Sequence, residues 1–172
     1  MLNQVINLFW TIVSFAVFGV YWGRYFAEQR SPWVLALFIV LSILIWAIPA
    51  KWFSALTISK SKRTYERMGV KFLLLFVQNG TLVNRLQRKY SKKSGLIHNR
   101  SQAQSYLKTI AMQERYHYCC LVLFLLTTLS AFSTGKPCIA LLITLCNILY
   151  NIYPILLQQY NRQRIGTLLN NK

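Results

Sequence analysis

Acidic side chains are almost missing from this sequence: aspartate is absent, and Glu28, Glu66 and Glu114 are the only carboxylate side chains among 172 residues. Charged residues of both signs make up 13% of the chain, about half of the roughly 25% carried by a soluble domain. So few charges cannot cover a surface that faces water on all sides, which excludes an ordinary soluble fold. The sequence also has no Walker loop, dinucleotide fingerprint, G-x-S-x-G elbow or zinc motif, so a bound nucleotide or a nucleophilic serine is not expected. Cys119, Cys120, Cys138 and Cys146 include no C-x-x-C pair, and most of their weight goes to packing between helices. Acylation of Cys119 or Cys120 near a membrane boundary is the other reading. Alternating ten-residue segments are missing too, which argues against a membrane β-barrel.

What is present is apolar, aromatic and basic. Hydrophobic residues are 55% of the chain, with ten Phe, ten Tyr and five Trp, and 20 Lys and Arg give a net charge of +17. Such a charge on a soluble protein points to nucleic acid. No base-stacking or base-reading motif accompanies it here, so no nucleic-acid partner is expected. The positive-inside pattern of a membrane protein, with attraction to anionic headgroups, explains it better.

An apolar helix needs about 20 residues, within a range of roughly 17–25, to cross the hydrocarbon core. Four stretches are read as spans: 5–22, 33–50, 118–133 and 138–157. The first has Trp10 and Trp22 as interface anchors; with no basic n-region and no small-residue cleavage site, it reads as a retained span rather than a signal peptide. Ser31 and Pro32 open the second as a cap and a first-turn proline. The third is short, which implies tilt or local thinning.

Between spans two and three lies a long loop, 51–117, that holds 14 of the 20 basic residues. Inside it, Gly69 to Val77 is apolar but too short to cross, so an interfacial or re-entrant segment is expected, with Asn79-Gly80 as a turn. His98 sits in a basic polar stretch and reads as exposed. The expected fold is therefore an all-α polytopic membrane protein, one domain over 1–172 with about four transmembrane helices. The loop and the tail 158–172 fall on the same side, which puts both termini in the cytoplasm.

Three constellations carry chemistry. Glu114 and His117 stand three apart where a helix enters the third span, and residues at that spacing share a face. A carboxylate beside an imidazole fixes its tautomer and raises its basicity, as a general base requires. An interfacial ion pair that anchors the helix explains the same spacing equally well. A di-metal carboxylate site would need two such motifs; only one exists, so no metal is expected. In the last span, Asn147, Asn151, Pro154, Gln158 and Asn161 recur at helical spacing and lead into Tyr160, Arg162 and Arg164. Amides in lipid bond neighbouring helices or line a cavity, and the guanidiniums suit a phosphate or carboxylate. Finally, Glu66 and Lys71 flank Gly69, where a short polar helix stops before the apolar dip.

These same stretches resemble the glycosyl-4,4'-diaponeurosporenoate acyltransferase family, small bacterial membrane proteins named for the last step of staphyloxanthin synthesis. The run from Asn151 through Tyr153-Pro154, Gln158 and Tyr160-Asn161-Arg162 to Arg164 is similar to its closing motif. Glu114-x-x-His117 followed by an aromatic, and Glu66-x-x-Gly69-Val70-Lys71, are similar to two earlier ones in the family's order. After Lys71 the family tends toward Trp-Lys and Leu-Pro, where this chain has Phe72-Leu-Leu-Leu-Phe76.

The resemblance implies transfer of a fatty acyl group from an acyl thioester donor to a sugar hydroxyl of a glycosylated lipid. In that reading Glu114 and His117 are catalytic, and Glu66, Lys71, Asn147, Asn151, Gln158, Tyr160, Asn161, Arg162 and Arg164 bind substrate. A basic cytoplasmic loop suits an anionic donor, and no cofactor is needed. Two other readings stand beside it. One is a non-catalytic helical protein that binds anionic lipid or a larger membrane complex. The other is a lipid methyltransferase, for which no Gly-rich cofactor loop is seen.

Overall fold

A computed structural model describes residues 2–70 and 100–170, and every element among them is helical. α1 is Leu2–Ala27 and α2 is Trp33–Leu44, extended by a 3₁₀ turn at Ile45–Ala47. Two short helices follow, α3 at Ala50–Ala55 and α4 at Lys62–Arg67. The long α5, Arg100–Ser133, leads to α6 at Pro137–Asn147, a π-helical turn at Ile148–Ile152, and α7 at Tyr153–Asn170. Lys71, the apolar dip after it, the Asn79-Gly80 turn and His98 lie outside the described residues.

Among the described residues, two stretches are long and apolar enough to cross a bilayer, Ser101–Ser133 and Pro137–Gly166. Trp33–Ala47 is apolar but shorter, which corrects the expectation of one helix over 33–50. The cause is Pro49. Its ring pushes the preceding residue out of the helical region, and Ile48 is extended at φ −64, ψ 128. At the other end of the chain, helix continues through the polar tail as far as Asn170.

α5 is the central element and packs against α2, α6 and α7. Toward the α5–α6 turn, aromatic residues of α1 fill the interior. Phe124 of α5 meets the rings of Phe15 and Phe18 at 5.4 and 5.3 Å between centroids. Trp22 stacks edge-on against Phe38 of α2. Ala131 and Ala140 are fully buried in this cluster, and their small side chains let α5 and α6 approach closely. Hydroxyls join the helices: Tyr21 Oη and Ser130 Oγ are 2.6 Å apart, and Trp22 Nε1 donates to Thr127 Oγ1 at 3.4 Å.

The outward faces are apolar. Leu8, Phe9 and Ile12 of α1, Leu37 and Val40 of α2, Leu125 and Leu129 of α5, and Leu141 and Leu145 of α6 are all exposed. A surface of this kind is stable against lipid and costly against water. The turn between α5 and α6 depends on Gly135 at φ +73, a left-handed conformation that strains any residue with a Cβ. It lets the Lys136 N–H reach back to the Ala131 carbonyl at 2.9 Å and close the helix end.

Candidate functional site

Glu114 is the most deeply buried acid of the described chain, 1% exposed, on the polar part of α5 before the apolar run begins at Tyr118. Its charge is met by Arg162 of α7 through a two-pronged contact: Nη1 lies 3.1 Å from Oε2, and Nη2 donates to Oε1 at 3.2 Å. This is the paired geometry in which guanidinium and carboxylate bind best. Arg162 is steadied in turn by Thr57 Oγ1 at 3.2 Å.

Gln159 ties this pair to the short helices. It is fully buried. Its Nε2 donates to Glu114 Oε1 at 3.1 Å and to the Leu56 carbonyl at 3.3 Å. Its Oε1 accepts from the Ile58 N–H at 3.2 Å and from the Tyr65 hydroxyl at 3.0 Å. One amide thus satisfies the irregular backbone between α3 and α4, which would otherwise carry unpaired groups in the interior. Alongside, the Tyr160 hydroxyl donates to Glu66 Oε1 at 3.4 Å.

His117 faces a different set of partners. Asn147 Nδ2 donates to the Leu121 carbonyl at 3.2 Å, Asn151 Nδ2 donates to Asn147 Oδ1 at 2.8 Å, and Asn151 Oδ1 lies 3.4 Å from His117 Nδ1. The order of donors in this chain is fixed from its far end, because a backbone carbonyl can only accept. Each amide must then point its oxygen toward the next residue, and the last oxygen faces the imidazole. In the neutral ring a proton on Nδ1 answers that oxygen, and the Tyr150 backbone also hydrogen-bonds to the ring. Tyr116 and Tyr150 rings stand edge-on to the imidazole at 5.2 and 5.7 Å. The Tyr150 hydroxyl is 3.1 Å from both Tyr116 Oη and Thr11 Oγ1.

The expected contact between Glu114 and His117 is absent from this arrangement. The two share a helix at i, i+3, but each turns to the last helical segment for a partner. A full guanidinium charge outcompetes an imidazole for the carboxylate, and the asparagine chain takes the imidazole instead. The amide stripe also needs a correction beyond Asn151. Pro154 has no N–H to give the Tyr150 carbonyl, and the backbone answers with a π turn whose Tyr153 N–H reaches Ile148 O. That wider turn advances the register by about one residue. Asn147 and Asn151 are buried as expected, but below the turn Gln159 is fully buried while Gln158 and Asn161 are half-buried. Arg164 is exposed and lies over the Tyr160 ring at 5.8 Å. Lys71 lies outside the described residues. Gln159 was missed because only an unbroken 3.6-residue period was applied; the Pro154 inside the stripe was the available signal.

The family model for glycosyl-4,4'-diaponeurosporenoate acyltransferase matches residues 49–171. The chain belongs to that family. No curated protein and no solved structure matches it. Acyl transfer is accordingly the activity of this membrane protein. The matched region starts after α2 and contains every candidate site residue named above. In an acyltransferase of this shape, the three stretches that carry the family likeness meet through side chains: Glu66 with Tyr160, Tyr65 with Gln159, Gln159 with Glu114, and Glu114 with Arg162. His117 stands one turn further along α5, about 4.5 Å of helix rise from Glu114.

Proposed function

We propose that the chain transfers a fatty acyl group from a thioester to a sugar hydroxyl of a glycosylated lipid at the cytoplasmic face, with His117 as the general base. The observation that carries the reading is the Leu121–Asn147–Asn151–His117 chain, which presents an amide oxygen to Nδ1 of the imidazole and so favours a proton there. His117 Nε2 takes the proton of the acceptor hydroxyl as its oxygen attacks the thioester carbonyl. The C–S bond breaks, the ester C–O bond forms, and the leaving sulfur takes the proton back from the imidazolium. General-base assistance of this kind contributes roughly 10²–10⁴-fold to the rate. Asn147 and Asn151 position the ring; Glu114 acts at a distance by holding Arg162 and Gln159, and hence α7, in place. In this reading Glu66 and Tyr160, joined by a hydrogen bond, bind the polar sugar.

The same reading has α1, α2, α5 and the α6–α7 segment all inserted in the membrane, with the loop and both termini in the cytoplasm. The 14 basic residues between 51 and 117 support that orientation. The shortness of α2 is accommodated by local thinning of the bilayer. The family description names a glycosyl carotenoid acid as acceptor, and a glycosylated polyene lipid is the acceptor class to supply first.

The test is His117→Ala in cells that make the acceptor, with the acylated and unacylated lipid quantified by mass spectrometry. Acylated product should fall by about 10²-fold or more while the protein stays in the membrane fraction. Unchanged product in a correctly inserted variant would sink the assignment.

A further inference from the structure

A cleft of about 320 Å³ opens beside the buried ion pair, lined by Trp46, Phe53, Lys108, Ala111, Met112, Glu114, Arg115 and Arg162. We propose that it binds the acyl donor, a fatty acyl thioester whose handle carries phosphates, with the phosphates against Lys108 and Arg115 and the start of the acyl chain along Trp46, Phe53 and Met112. This rests on the acyl-transfer reading and assigns it a second group of residues.

Four features point there. Lys108, Met112 and Arg115 are spaced i, i+4 and i+7, so they share one face of α5. The two cations are about 10 Å apart along the axis, a span suited to a ligand with more than one anionic group. The cleft's single carboxylate is already spent, since Glu114 is held by both guanidinium nitrogens of Arg162. Among the described residues Lys108 has no ion pair and Arg115 meets no carboxylate, so the cleft keeps an uncompensated positive charge.

Arg115 is also held ready. Its guanidinium lies over the Phe53 ring at 5.2 Å and within 3.5 Å of the Trp46 carbonyl. The apolar part of the lining is open: Trp46 is 47% exposed and Met112 is 54% exposed. An apolar wall next to unpaired cations matches an amphiphilic anion better than it matches either a free phosphate or a plain hydrocarbon. Glu114 of the candidate site forms part of the cleft wall, which ties the cleft to that site; His117 follows three residues later on another face of α5 and is outside the lining. The sequence had pointed to Arg162 and Arg164 for this task. The first is committed to Glu114, and the second lies over Tyr160.

The test uses the full chain in nanodiscs of neutral phosphatidylcholine and measures equilibrium binding of radiolabelled palmitoyl-coenzyme A. Saturable binding is expected for the wild type and for His117→Ala, so that loss of catalysis and loss of binding are read separately. Binding should weaken by about tenfold or more in the Lys108→Gln/Arg115→Gln double variant, stay unchanged in Lys136→Gln at the other end of α5, and survive in Lys108→Arg/Arg115→Lys. Replacing a fifth of the lipid with phosphatidic acid should leave it intact. Wild-type-like binding in the folded glutamine double variant, no saturable binding in the wild type, or full displacement by phosphatidic acid would each overturn the donor site; the last would mark it as a headgroup site. If binding follows the cleft residues but His117→Ala still transfers acyl groups, the donor site stands and the catalytic assignment fails.

Discussion

Glu28 pairs with two cationic side chains and Glu114 with one, and the fold uses them in different ways. Glu28 closes the end of α1, where Arg30 Nε approaches it at 2.8 Å and Lys136 pairs with its other oxygen. Its side chain is 40% exposed. Those partners, the Lys136 hydrogen bond first and Arg30 second, hold its carboxyl below the ordinary glutamate range. Water screens the pair, and exposed ion pairs contribute little to stability. Glu114 has a side chain only 2% exposed and makes its contacts inside the bundle. There the desolvation cost is high, and the pairing must be geometrically good to offset it. One glutamate trims a loop; the other organises a site.

The strongest way to break this contrast is to remove the buried acid. Glu114→Ala leaves Arg162 uncompensated and costs about 3–5 kcal/mol, measured as lost resistance to heat or denaturant in detergent. A loss as small as that from an exposed pair would erase the distinction. A middle-sized effect should separate charge from orientation at the inner end. Asn151→Leu removes the acceptor that fixes the imidazole proton on Nδ1, so acyl transfer should fall by about tenfold or more, with little change in the amount of protein inserted. Asn151→Asp, which keeps the acceptor, should recover part of that rate, as measured by product ester formed per unit of protein.

The smallest effect belongs to Glu28→Gln, for which the thermal midpoint should hold within error at neutral pH. Because the folded pKa of Glu28 is lowered, its contribution is present above the unfolded carboxylate pKa and disappears as pH falls through the folded value. Wild type and Glu28→Gln should therefore converge in stability at acid pH. A gap that widens there would mean that the pair does more than trim the loop.

Much of the site could be read from one dimension. Glu114, His117, Asn147, Asn151 and Arg162 are all inward-facing or inward-bonded in the fold; spacing along a helix points to the first four, and Arg162 stands out as a guanidinium of the tail that follows the amide stripe. Spacing could not assign their partners. The i, i+3 relation places Glu114 and His117 on adjoining faces, and only the presence of Arg162 and Asn151 across the interface decides which neighbour each one takes. Gln159 escaped for a related reason: the π turn at Pro154 resets the helical phase, so a polar residue one position away from the expected stripe became the centre of the network. The cleft at Lys108 and Arg115 was equally hidden, since its other wall comes from Trp46 and Phe53, more than fifty residues earlier in the chain.

What the sequence determined by itself is the solvent and the class of fold. Thirteen per cent charge with 55% hydrophobic residues demands lipid, and in lipid a chain without barrel periodicity must be helical to satisfy its own backbone. What the tertiary structure decided is which polar groups meet. Burial makes each pairing costly or valuable according to geometry, and geometry arises only when α5 and α7 are brought side by side.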